Sequence, residues 1–517
     1  MKRLCVLLII ILCVISCGCS MSNNRSKYTE RKDKSVVVLA AYRNLAPGNK
    51  DAVYCSKILG VWEPLITKDD HNRPAPCLAE SWQMLDGGKE WIFHLRRDVY
   101  FHNGTKFTAD SVIENFRRME KGYKRSSFYG LDINVYYPSL LSYEKIDDYT
   151  FRLLFREPNV NELYKMTDFG SPMFAPECFD ENGNFKEIAI GTGPYKITEN
   201  ILNKYVKIVR NENYYGSKGK ISEYIIRTIP AAETRFSALK SGEIDAVLDI
   251  NAIPPFMAEE LIKDMRFAAE KNKSTMIRYL CLNGKKFPFN DVRMRKAVSL
   301  AINREVLVNS LYMGYGEPTV NILNYTSPYY KRIPVDYDLD KAKKLAKEVL
   351  GEERYPVTYC INSKEVIQKG EAELIAYWLK EIGLDVTIKS LEYATLTRMM
   401  KKGECDIVRL QRGLANGDAY GLLYTFFAPQ GSVNKSYGIA YNNVEVTELL
   451  RKVKHVTDDI ERQRIFDRIQ EIVVEEQPVV PLFNDVNIVA YNKRLKNYKP
   501  LIYGVDLSKV ELVKEND

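Results

Sequence analysis

The chain has 517 residues, 45% of them hydrophobic and 27% charged, with a formal net charge of +8. That length supports two or three domains around a large core, and the composition is globular rather than disordered or fibrous. Lysine and arginine are spread without a long basic run, which argues against nucleic-acid binding and leaves a mild bias toward anionic ligands.

At the start of the chain, Lys2-Arg3 precedes an apolar run from Leu4 to Ile15, followed by Ser16-Cys17-Gly18-Cys19. The run is too short to span a bilayer but suits the core of a signal peptide. Val14-Ile15-Ser16-Cys17 resembles the bacterial lipobox, in which a small residue precedes the cysteine that receives the lipid. Cys17 is therefore the expected lipidated residue, with Cys19 second because Ser16 is a weaker match three positions before it. An ordinary secretory peptide is the alternative. Residues 1–19 thus form a signal and anchor region, and the polar stretch 20–34 a flexible tether.

Val36 to Ala41 reads as a buried strand, and Tyr42-Arg43-Asn44 leaves it where a strand end would open into a cleft. Trp91, Phe93 and Leu95 alternate with Ile92, His94 and Arg96, as in a half-buried strand, and Asn103-Gly104 supplies a tight turn. Thr108 then takes a helix-cap position, with Val112, Phe116 and Met119 recurring on one face. Tyr149 to Phe155 is another strand, ended by Pro158. Gly191-Thr192-Gly193-Pro194-Tyr195 lacks the third glycine and the Lys-Ser/Thr pair of a phosphate loop. A helix from Ala232 to Lys240 ends at Gly242 and leads to a strand at Ile244 to Val247.

In the second half, Asp336 to Asp340 lacks the glycine and twelfth-position carboxylate of a calcium loop and reads as an acidic cap on a helix from Lys341 to Leu350. A helix from Glu371 to Ile382, Gly383 and a strand from Leu384 to Ile388 follow. This alternation predicts a mixed α/β lobe with parallel strands. Of the ten cysteines, four lie in the processed region; the other six show no C-x-x-C spacing and read as small buried thiols, a single disulfide such as Cys55–Cys77 being left open.

Several segments together carry a resemblance: Trp62-Glu63-Pro64-Leu65, Leu78-Ala79-Glu80-Ser81-Trp82, Phe93-His94-Leu95-Arg96, Phe101-His102-Asn103-Gly104 and Glu114-Asn115-Phe116-Arg117. They resemble the extracytoplasmic solute-binding proteins of family 5, which serve peptide and nickel ABC importers, the nickel-binding type most of all. Gly191 to Tyr195, Arg210 to Pro230, Leu239 to Val247 and Val292 to Arg304 extend the likeness over nearly the whole mature chain. It implies a two-lobed α/β fold of the periplasmic-binding-protein type (type II, cluster C) with an extra subdomain on the first lobe. The implied boundaries are 35–270 for lobe I, with the subdomain at about 62–185, 271–482 for lobe II, and 483–517 for the return to lobe I. It also implies a lipid-anchored receptor on the extracytoplasmic face of the cell membrane, with an ABC permease and its ATPase subunits as partners.

No G-x-S-x-G, H-E-x-x-H, Walker or paired metal motif marks an enzyme, and neither a catalytic residue nor a resident metal or cofactor is expected. Four histidines are too scattered to form a preformed metal cluster. The expected solute is nickel or a related transition metal as an anionic small-molecule chelate, gripped through its carboxylates by arginine; short peptides are the alternative. Arg125 and Phe128 match the arginine and tryptophan that line the cleft in nickel-binding members. On the opposite wall, Arg412, Asp418 and Tyr420 are candidates, and Tyr42 and Tyr503 match weaker cleft positions. The chain departs from the family pattern where Gly413, Gly417 and Gly431 replace an aromatic pair and a metal-binding histidine, and where Phe169 to Pro172 lacks a second arginine. The aspartate that pairs with a peptide's amino end falls on Ala415.

Overall fold

Strand Val37–Ala41 is buried along its whole length because parallel neighbours flank it on both sides, Glu223–Thr228 and Ala246–Val247. It belongs to an eleven-stranded sheet of the computed structural model, which describes residues 35–45, 52–121, 132–183, 185–186, 188–363, 366–413 and 417–513. Two long antiparallel strands, Phe267–Leu282 and Val479–Asn492, run through the middle of that sheet. Their register slips between Lys273 and Ile277. On one side of the slip lie the strands of the first half. On the other, Ile407–Gly413, Tyr355–Asn362 and Leu384–Leu391 continue the sheet, the last two pairing in parallel with Tyr355–Asn362 between its neighbours. The boundaries expected at 270/271 and 482/483 fall inside these two crossing strands.

A separate four-stranded antiparallel sheet, ordered Ala79–Leu85, Glu90–Leu95, Thr150–Phe155 and Leu140–Asp147, carries helix Ala109–Lys121. The alternation read from sequence is the observed one: Trp91, Phe93 and Leu95 are buried, as are Val112, Phe116 and Met119 on the helix. Phe93 stacks on Phe151 at 4.8 Å, and Phe116 lies 6.5 Å from the same ring. Burying each such side chain contributes about 1.5–3 kcal/mol. Asp338 caps helix Leu339–Leu350 by accepting the Lys341 N–H at 2.9 Å, so the acidic segment has a local structural role.

The reading as buried thiols holds for Cys55, Cys178 and Cys281, and Cys77 is a partly buried thiol, but Cys55 and Cys77 are not joined: among the described residues a disulfide links Cys360 to Cys405 instead. Spacing could not show this, because the parallel strands Tyr355–Asn362 and Ile407–Gly413 bring the two cysteines to Cα atoms 6.1 Å apart. No helix among the described residues is long and apolar enough to cross a membrane. Cys17 and the tether lie outside the described residues.

Candidate functional site

Glycines 191 and 193 show why the site has its shape. A Cβ on either would meet the carbonyl oxygens of Val61 or Gly60 at 2.2 Å, so the turn lies directly on the segment Gly60-Val61-Trp62. That contact, not phosphate binding, accounts for the glycine pair. It holds Glu63 beside the turn, where Thr192 Oγ1 donates to Glu63 Oε2 at 3.0 Å and the Tyr214 and Tyr215 hydroxyls donate to Oε1 at 2.8 and 2.9 Å. Burial pushes the Glu63 carboxyl above its usual range, and the three hydroxyl bonds and Lys57 oppose it.

Glu63 faces a cavity of about 1110 Å³. Its lining comes from the first half (Lys57, Trp62, Lys68, Asp168), from the crossing strand (Asn272, Lys273) and from the second half (Tyr325, Thr326, Ser327), with Tyr503 and Asp506 closing it near the C-terminus. Asp168 sits at φ +47°, a backbone region that aspartate tolerates better than most residues. Lys68 Nζ lies 2.6 Å from its Oδ2 and Lys57 Nζ 3.7 Å from its Oδ1. Burial works against ionisation here, but the two ammonium groups outweigh it and hold the carboxyl below the ordinary range. Lys57 Nζ also stands 4.7 Å from the centroid of the Trp62 ring. Cys77, in the same lining, is pushed up to about 12 by burial and by Glu63, so it presents a thiol and not a thiolate.

The rim is tied across the two halves. Asn72, at the tip of hairpin Ile66–Lys68/Pro74–Pro76, donates to the Thr326 carbonyl at 2.7 Å, and Arg73 pairs with Asp459 at 3.0 Å. Arg462 donates to Asn161 Oδ1 at 2.6 Å with both side chains buried. Gly417, at φ +72°, lies where a Cβ would meet the Asn72 carbonyl oxygen at 2.7 Å. The glycine that replaces an aromatic residue of the family pattern is thus the seat of the hairpin tip.

Of the site residues expected from sequence, Arg125 and Phe128 lie outside the described residues. Tyr503 lines the cavity, edge-on to Phe169 at 5.0 Å and to Tyr54 at 5.8 Å. Tyr42, 41% exposed, ends strand Val37–Ala41 and donates its N–H to Asp249 Oδ2 at 2.8 Å. Arg412 is exposed near the end of Ile407–Gly413, and Tyr420 is half-buried beside Tyr424. Asp418 is buried and caps helix Ala419–Phe427 through the Gly421 N–H at 2.9 Å; burial raises its carboxyl. Tyr42, Arg412, Asp418 and Tyr420 are not brought into the cavity lining. Sequence reasoning missed Lys57, Lys68 and Asp168. Trp62-Glu63-Pro64 was legible as a family pattern, but no local signal pairs Lys57 with an aspartate so distant in sequence. No group of three or more His, Cys, Asp or Glu able to hold a metal ion occurs among the described residues.

Two crossing strands join the two halves of the sheet, and a large cavity is lined from both halves, which is the architecture of a two-lobed binding protein. Residues 73–434 match the family model of bacterial extracellular solute-binding proteins, family 5, middle region, and the chain belongs to that family. It is 27% identical over 466 residues to the heme-binding protein A of Haemophilus influenzae, covering 83% of this chain and 82% of that protein. It is 25% identical over 474 residues to the nickel-binding periplasmic protein of Escherichia coli, covering 88% and 90%. The structure of NikA from Brucella suis in complex with Fe(III)-EDTA superposes with a TM-score of 0.81 at 22% identity, over 92% of this chain and all of that one. The chain is therefore a solute-binding protein of the ABC-importer type, and its relatives are transport proteins, not enzymes.

Proposed function

We propose that this chain captures a small carboxylate-bearing solute outside the cytoplasm, with nickel or a related transition metal as an anionic chelate as the leading candidate, and delivers it to an ABC permease. The observation that carries this reading is the set of basic side chains in the cavity wall, Lys57, Lys68 and Arg73 from the first half and Lys273 from the crossing strand, which stand among the carboxylates Glu63, Asp69, Asp70, Asp168 and Asp506. Carboxylates of a chelator match such donors through charge-assisted hydrogen bonds. The relation to a nickel-binding protein, and the Fe(III)-EDTA bound to NikA, support a chelate as cargo. Closure would be a hinge motion at the crossing strands, its equilibrium shifted by a solute that touches both lobes.

A second reading, short peptides, is favoured by the cavity's size, which exceeds the ~300–1,000 Å³ typical of small-ligand pockets. The Cys360–Cys405 disulfide supports an oxidising compartment outside the cytoplasm, where a lipid on Cys17 would hold the protein at the membrane. Native mass spectrometry with elemental analysis of protein purified from its own host tests the proposal. A bound metal together with a small organic acid supports the chelate, and a ladder of peptide masses the second reading. A chain that carries no solute under any loading condition, or that releases its solute chemically altered, contradicts both.

A further inference from the structure

Two carboxylates of the cavity floor are held by the protein's own donors. Both oxygens of Glu63 are engaged, Oε1 by two tyrosine hydroxyls and Oε2 by Thr192. Both oxygens of Asp168 face ammonium groups, Oδ2 that of Lys68 at 2.6 Å and Oδ1 that of Lys57 at 3.7 Å. These two carboxylates are thus committed to the protein itself, while Asp69, Asp70 and Asp506 supply the other carboxylates of the lining.

Lys57 is in the opposite condition. An ammonium has three donors and no acceptor. The contacts of Lys57 Nζ with described residues are the 3.7 Å approach to Asp168, too long for a hydrogen bond, and the face of Trp62 at 4.7 Å. Its side chain is 24% exposed and lines the cavity. Helix Ala52–Ile58 positions it in its last turn, and the buried indole of Trp62 limits where the ammonium can go. The ion triplet Lys57–Asp168–Lys68 carries a formal charge of +1, while the negative charge of Glu63 is spread over three hydroxyl donors.

We propose that Lys57 is a specificity-determining residue that receives an anionic oxygen of the solute, a carboxylate in the first instance, at the cavity floor. This rests on the solute-capture reading above and sharpens it, since spare donors on Lys57 beside the committed carboxylates of Glu63 and Asp168 favour a solute's acid end over its amino end at this point of the lining. An ammonium fixed beside an indole and a shared carboxylate discriminates against the matching carboxamide, which lacks the charge.

The test uses the full mature chain and two probe pairs, tricarballylate with its triamide and tri-alanine with tri-alanine amide, titrated by calorimetry and native mass spectrometry. The wild type should retain at least one carboxylate probe about tenfold or more above its amide. Lys57→Met should bring that ratio close to one while keeping the thermal midpoint, and Lys57→Arg should restore part of it. A wild type that retains neither carboxylate probe, or shows no preference, overturns the assignment, as does an unchanged ratio in Lys57→Met. A host-derived solute without an anionic oxygen would also overturn it while leaving solute capture intact. Absence of any bound solute would instead remove the underlying reading.

Discussion

Two ion-pair systems, each built on one carboxylate and its basic neighbours, serve different ends in this molecule. In the second half, Arg409 Nε donates to Glu371 Oε1 at 2.9 Å, with side-chain exposures of 1% and 0%. Tyr312 donates to the other Glu371 oxygen, so that carboxylate is fully occupied within the core. At the cavity floor, Lys57 and Lys68 share Asp168 with part of the triplet open to solvent. The first arrangement is closed and can only stabilise or destabilise the fold. The second retains donor capacity facing a cavity, where a solute can use it. Burial separates a structural charge pair from a binding one, even when the residue types look alike.

The largest expected effect lies in the closed pair. Glu371→Leu should cost about 3–5 kcal/mol in urea unfolding, because Arg409 is left buried without its carboxylate. The double variant Glu371→Leu/Arg409→Met should recover most of that loss. Solute affinity of the folded double variant should match the wild type; a changed affinity would erase the distinction drawn here.

Next in size, Cys360→Ser with Cys405→Ser should cost about 2–4 kcal/mol, measured the same way in oxidised protein. The bridge fastens strand Tyr355–Asn362 to the start of the strand that carries Arg409, so it belongs to the closed system. Equal stability of the two forms would show that this half needs no covalent tie.

Asp249 lies between the extremes, a buried carboxylate with a backbone bond from Tyr42. Burial raises it to about 6, against that bond and the nearby Arg43 and Arg235. Between about pH 4 and pH 6 the native state keeps a proton that the unfolded chain has lost, so this group's contribution to stability falls as pH rises. The penalty is absent below that window and complete above it, on the order of 2–3 kcal/mol. Asp249→Asn should therefore gain stability over the wild type at pH 7 but not at pH 4. His102 works in the opposite sense: burial lowers it to about 4, so protonation of the unfolded chain costs stability as pH falls below about 6.5. Comparing Asp249→Asn with wild type at each pH, His102 present in both, isolates the carboxylate. A constant difference across pH would contradict the assignment.

The last variant, Asp168→Asn, should cost about 1–3 kcal/mol, because Lys57 can turn to the cavity whereas Lys68, whose side chain is 8% exposed, loses its close carboxylate. Asparagine tolerates the positive φ at this position. Affinity for the solute recovered from the native protein should rise by several-fold. A large loss of stability with unchanged affinity would move Asp168 into the structural class.

Much of the fold was legible because it is local. The period-2 pattern of Trp91, Phe93 and Leu95 and the helical spacing of Val112, Phe116 and Met119 are set by near neighbours and reappear as buried faces. The family pattern extended that reading to the two-lobed architecture. The cavity floor was not legible, because Lys57, Glu63, Asp168 and Tyr214 are brought together by long-range packing, including the Gly191/Gly193 turn pressed against Val61. The disulfide escaped for the same reason. Asp418 shows the converse: a polar residue in a plausible loop, whose carboxylate faces its own helix's N–H groups.

The central claim is that two lobes close on a solute held in the cavity between them. Small-angle X-ray scattering tests it most directly, on protein isolated with its own solute and on the same protein stripped by unfolding and refolding. The stripped form should show a larger radius of gyration and return to the compact value when the released solute is added back. Superimposable profiles in all three states would contradict the account.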